Sequence, residues 1–158
     1  MNRDLWAPVL NIRIAGIPVP QGSMSGFPRG KHVIITDQKG KTLKPWREAI
    51  RSEVSADLGE HWTPMDGPVA ICLDFAIPKP ASAPKRKRTW PIKTRSTDID
   101  KLARSVLDAL TQAGLWVDDC RCVRLDVSKN YAGDGLMSVP GVSIEAYRLQ
   151  QLPEGTST

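Results

Sequence analysis

Four aspartates in the second half of the chain, Asp98, Asp100, Asp118 and Asp119, stand where carboxylates do little for packing and much for holding a divalent cation. Asp98 and Asp100 straddle the start of a helical pattern, and Asp118 and Asp119 form a pair in the turn that follows it. With Asp98 in an extended entry and Asp100 in the first turn, both carboxylates face one point; inside a regular helix, two residues apart, they diverge. Each piece also has a purely structural reading. Aspartate at a helix start caps free amides and meets the positive end of the dipole, for about 1 kcal/mol. An Asp-Asp pair is ordinary turn chemistry.

What tips the balance is the segment that delivers the chain to Asp98. Between Pro78 and Thr97 there are seven basic residues, Lys79, Lys85, Arg86, Lys87, Arg88, Lys93 and Arg95, and no acidic one. Removing those seven charges from the net +5 leaves −2 on the remaining 138 residues, so the basicity is local. A proline-spaced loop of 20 residues is also far longer than the usual connection of about 4 to 6. Such a loop fits a phosphate backbone. Phosphate and carboxylate repel unless a cation lies between them, and Mg²⁺, with its preference for oxygen ligands and substrate phosphate, resolves the conflict. The chemistry expected of that arrangement is metal-assisted hydrolysis of a phosphodiester.

These groups need elements to position them. Leu10–Val19 alternates as a strand ended by Pro18 and Pro20, Gln21–Gly30 reads as a glycine-rich loop, and Val33–Thr36 reads as a short strand. Thr42–Leu58 spaces Leu43, Trp46, Ile50, Val54 and Leu58 along one helical face, closed by Gly59. Val69–Ile77 is continuous and β-branched, the pattern of a central strand. Ile99, Leu102, Ala103, Val106, Leu107 and Leu110 keep helical spacing through Gln112, with Gly114 as the stop. Strands over Val123–Val127 and Val142–Leu149 flank a turn at Ala132–Gly135. The expected fold is a single α+β domain over residues 1–149, a mixed sheet packed by two main helices, with 150–158 as a loose polar tail.

The stretch TDIDKLARSVLDALTQAGLWVDDCRCVRLDVSK, residues 97–129, resembles the RusA family of Holliday junction resolvases. That family's signature is D-x-D-N-L-x-K, a helix ending in L-D-A-L, then W-x-D-D and a strand with a basic residue near its end. The resemblance covers 33 contiguous residues of the 158 with the internal spacing intact. It implies a Mg²⁺-dependent endonuclease that resolves four-way junctions by symmetric paired nicks in DNA recombination and repair. It also implies a homodimer, since two opposed strands must be cut. By position it assigns Asp98, Asp100 and Asp119 to the metal site, with Asp118 as a further ligand or a support behind it. Lys101 stands where the family has asparagine and Arg104 where it has a catalytic lysine. Arginine clamps phosphate but does not donate a proton, so Arg104 is expected to stabilise charge, and Lys101 either supplies the ammonium or is solvated. Lys129, near the end of the strand that closes the resemblance, either joins the loop cations as a DNA contact or, like Tyr131, is a rim residue.

Other groups receive more modest expectations. Asp108, four residues beyond Arg104, suits an intrahelical ion pair. Trp90 either stacks on an unpaired base or anchors the loop by packing, and Trp116 plugs the core beside the acidic turn. The segment Gly26–Gly30 is one residue short of a P-loop and His32 occupies its Ser/Thr position, so no nucleotide cofactor is expected. Cys120 and Cys122 lack the second pair of a zinc site, and three cysteines fit reduced thiols. No apolar run is long enough for a membrane span and the N-terminus is unlike a signal peptide, so a cytoplasmic protein is expected. The competing function is a junction or single-strand DNA binder without turnover. An RNA-binding role is the weakest, with aromatic residues at only 6% to stack on bases.

Overall fold

Residues 5–22, 24–29, 32–37, 40–92 and 97–150 are described by the computed structural model. The chain builds β1 (Trp6–Ala15), β2 (Met24–Arg29), β3 (His32–Asp37), α1 (Gly40–Leu58), β4 (Val69–Ile77), α2 (Ile99–Gln112), a 3-10 turn (Asp119–Arg121), β5 (Cys122–Tyr131) and β6 (Gly141–Leu149). Four strands form one sheet in the order β1-β6-β4-β5, and β2 and β3 form a separate two-stranded ribbon. β6 runs antiparallel to both β1 and β4, whereas β4 and β5 are parallel. The result is the mixed sheet and two-helix α+β domain that the sequence implies.

The core forms where the apolar stripes of α1 and α2 meet one face of the sheet. Leu43, Trp46, Ile50 and Val54 of α1 and Leu102, Ala103, Val106, Ala109 and Leu110 of α2 are buried against Ile71, Leu73, Phe75, Val142 and Ile144. β4 lies between β6 and β5 and is buried along most of its length, which is why its sequence is continuously apolar apart from Asp74. Among the described residues no helix is long and apolar enough to cross a membrane.

Three elements depart from the expected limits by more than two residues, among them β5, which runs past Val127 to Tyr131 alongside Ile77 of β4. β1 starts earlier and ends at Ala15, because Gly16 adopts φ 148° and a Cβ there would lie 3.1 Å from the Trp46 ring. Pro8 falls inside it at a shift of register, tolerated because β1 is an edge strand. Much of the expected Gln21–Gly30 loop is strand β2, paired antiparallel with β3 from Met24↔Asp37 to Arg29↔His32. In a two-stranded ribbon both strands are edges, so Gly26 and Pro28 interrupt nothing that must be shared with a third strand.

Candidate active site

The crossover from β4 through α2 to β5 decides where the acids lie. β4 runs up, the basic segment crosses the top, α2 descends, and β5 runs up again parallel to β4. Asp98 is the N-cap residue of α2, with φ −58° and ψ 119°. Its side chain makes no capping hydrogen bond. The first helical bond is made by its backbone, the Leu102 N–H donating to Asp98 O at 3.0 Å. The carboxylate instead faces the Lys101 ammonium at 3.6 Å. Asp100 is exposed in the first turn, and Arg104 is exposed one turn further on the same side of the helix. The capping role open to Asp98 is therefore not the one its side chain takes, and Lys101, partly exposed, lies beside that carboxylate.

A lysine of β5 ties down this end of α2. The Lys129 ammonium donates to Thr97 O at 2.6 Å, and Thr97, buried, donates through Oγ1 to Pro91 O at 3.1 Å. Lys129 reaches there because it shares the helix side of the sheet with its β4 neighbour Phe75. The basic segment is tied to the same end of β5. Lys79 pairs with Asp134 at 3.0 Å, and Arg88 donates to Asn130 Oδ1 at 2.9 Å. Asn130 in turn donates to Asp74 Oδ2 at 3.1 Å. Asp74 also accepts from Ser128, while its other oxygen is buried with no hydrogen-bond partner. The structural roles of Asp74, Asn130 and Asp134 are not in the sequence reading. The one available signal was the lone acid in an otherwise apolar strand. Lys85, Arg86 and Lys87 are exposed on the same segment, and Lys93 and Arg95 lie outside the described residues. Trp90 is half exposed, with the Arg88 guanidinium 5.0 Å from its ring centroid.

Asp118 and Asp119 lie at the other end of the sheet. The α2 stop at Gly114, φ 75°, turns the chain into Leu115 and Trp116, both buried. Trp116 Nε1 donates to Thr111 Oγ1 at 2.7 Å, and across this corner the Met65 N–H donates to Leu115 O and the Val117 N–H donates to Met65 O. Asp118 does cap, accepting from the Cys120 N–H at 2.9 Å. The Cys120 thiol first, and then that N–H, hold its carboxyl below the usual range. The same contact raises the Cys120 thiol, and burial raises Cys122 and Cys72, so these cysteines stay protonated. Asp119 is exposed. Its neighbour Arg121 is engaged by Asp66, at 2.6 Å.

From Cys122 to Lys129 β5 advances about 23 Å, and the helix between the two acidic groups is about 21 Å long. One copy of the chain therefore keeps Asp98 and Asp100 together and holds Asp118 and Asp119 far from them. Among the described residues no three His, Cys, Asp or Glu side chains come close enough to hold a metal ion. Asp108 also differs from expectation. It is bridged by Arg47 of α1, which also donates to Gln21 Oε1, rather than by Arg104, because its side of α2 faces α1 and Arg104 faces solvent.

The basic segment thus leads into a helix whose entry carboxylate makes no side-chain cap. A protein-family model described as endodeoxyribonuclease RusA matches residues 16–145. The chain belongs to the RusA endodeoxyribonuclease family. Membership makes it an endodeoxyribonuclease and places it among the enzymes that act on branched DNA at Holliday junctions. A comparison with curated proteins found no match. The RusA match reaches upstream of the basic segment through both helices and most of β6, well past the motif at residues 97–129. Nucleases of this kind generally depend on a divalent metal.

Proposed function

We propose that the protein is a Mg²⁺-dependent resolvase that cuts four-way junctions by symmetric paired nicks in recombination and repair. In this reading it is a cytoplasmic homodimer whose metal-holding acids come from two copies, Asp98 and Asp100 from one and Asp119 from the other. The observation that carries the reading is the uncapped Asp98 carboxylate beside Asp100, at the foot of the basic segment and a sheet's length from Asp119. Three hard oxygen donors suit Mg²⁺, and two copies are the way to bring them together. Bound there, the ion would polarise the scissile phosphate and make water a nucleophile near neutral pH.

The chain's own residues do the rest. Lys79, Lys85, Arg86, Lys87, Arg88, Lys93 and Arg95, with Lys129, receive the phosphate backbone, and Arg104 meets charge that builds on the phosphate in the transition state. Lys129, by holding Thr97 O, also fixes where Asp98 points. Asp118 keeps the acidic turn in shape through its cap.

Incubation with a labelled mobile junction in Mg²⁺, beside a linear duplex of the same sequence, tests the reading. Paired symmetric nicks in the junction alone are expected. Binding without scission under any divalent metal would instead make the protein a junction binder, a role that needs the basic segment and none of the acids. Junction affinity should also fall steeply with salt, by about 0.9 log units per log unit of salt for each phosphate contact. A slope of several units is expected from titrations at a series of salt concentrations. A slope near zero would remove the basic segment from the interface.

A further inference from the structure

Among the described residues Trp90 is the one exposed tryptophan of the five in the chain. Trp46 and Trp116 are buried in the core, and Trp6 and Trp62 are partly buried. Trp90 stays 50% exposed inside a segment that carries seven cations and no acid, and Ile92, two residues on, is 77% exposed. Single apolar side chains in water are ordinary on a protein surface. Two of them on a fixed base, among charges suited to phosphate, call for an occupant.

Anchoring the segment by packing is not the task of Trp90, because other residues do that. Pro91 is buried and centres a tight turn in which the Ile92 N–H donates to Trp90 O at 2.9 Å. Pro91 O accepts from Thr97 Oγ1 at 3.1 Å, and Thr97 immediately precedes Asp98. The turn therefore holds Trp90 and Ile92 one residue either side of a point tied to the entry of α2. The ring is also backed. The Arg88 guanidinium lies 5.0 Å from its centroid and donates to Asn130 Oδ1 at 2.9 Å. Asn130 offers that oxygen because its amide nitrogen is taken by Asp74 Oδ2 at 3.1 Å. Gly135 leaves room for it, since a Cβ there would lie 3.0 Å from Asn130 Cβ. A line of contacts from β4 through β5 thus ends on an indole whose place is set before any DNA arrives, which lowers the cost of using it.

Stacking on an aromatic ring suits any base, provided the base has an uncovered face. Inside a linear duplex each base pair is covered by its neighbours on both sides. At the branch point of a four-way junction that stacking is interrupted. We propose that Trp90, backed by Arg88, is the stacking platform for a base at the branch point, and that it sets the preference for branched over linear DNA. The assignment rests on the junction-resolvase reading above and deepens it. The basic side chains hold phosphate wherever it occurs, whereas Trp90 finds a partner only where the stack is open.

Equilibrium binding without divalent metal, so that no strand is cut, tests it with a four-way junction and a linear duplex of the same sequence as probes. Trp90→Ala should weaken junction binding about tenfold and duplex binding less than about twofold, with the salt slope unchanged because no phosphate contact is lost. Trp90→Phe keeps a flat ring and should recover most of the loss. Trp90→Leu keeps apolar bulk without the ring and should not, a contrast that a packing role does not predict. Circular dichroism on each variant checks that it is folded. Equal losses on both probes, no loss on either, or recovery by Leu as full as by Phe would overturn the platform while the resolvase reading stands. Wild type that binds the junction no better than the duplex would overturn both.

Discussion

Asp119→Asn should lower junction cleavage by about 10³-fold or more while leaving junction affinity equal to or tighter than that of wild type. Losing a charged metal ligand forfeits several kcal/mol of transition-state stabilisation, and each 1.4 kcal/mol is tenfold in rate. Binding moves the other way because a carboxylate beside a phosphate is repulsive. The fold should not register the change. Asp119 is exposed and the cap of its turn is made by Asp118, so stability should stay within about 0.5 kcal/mol. Single-turnover cleavage with a gel-shift titration on the same preparation separates the two effects. Normal nicking by the variant would show that Asp119 is not a required ligand.

Arg104→Ala should lower the single-turnover rate by about 10²-fold with little change in affinity, the size of effect seen when one preorganised donor to a transition-state charge is removed. Arg104 is exposed one helical turn beyond Asp100 and its guanidinium is not spent on Asp108, which Arg47 holds. Arg104→Lys should recover most of the loss, because the task needs a cation at that place and no proton transfer. A loss confined to affinity, with an unchanged rate, would make Arg104 an ordinary backbone contact.

The elements closest to the chemistry were the easiest to read. β4 and α2 have the limits their periodicity implies, because continuous burial and a single apolar stripe each leave an unambiguous pattern. β2 was hidden by its glycine and proline, residues that only a ribbon without a third strand accepts so freely. The partners of Asp108 and Asp98 were not legible either. Which neighbour a charged side chain meets depends on how α1 docks on α2 and on whether the helix start takes the carboxylate as a cap. The largest surprise is the distance between the two acidic groups. Asp98 and Asp119 are 21 residues apart and belong to one motif, yet a helix of 14 residues carries the chain from one end of the sheet to the other between them. A motif fixes order along the chain and says nothing about which copy supplies each part.

That division between copies is the centre of the account, and mixing inactive variants tests it. One variant carries Asp98→Asn with Asp100→Asn, and the other carries Asp119→Asn; each alone should be inactive on a four-way junction. Mixed and allowed to exchange subunits, half of the dimers are hybrids, and one of the two sites in each hybrid has all three acids intact. Junction cleavage should therefore return to about a quarter of the wild-type number of sites, as single nicks rather than symmetric pairs. If the mixture stays as inactive as its components while wild type dimerises and cuts, the acids act within one chain and the two-copy site is wrong.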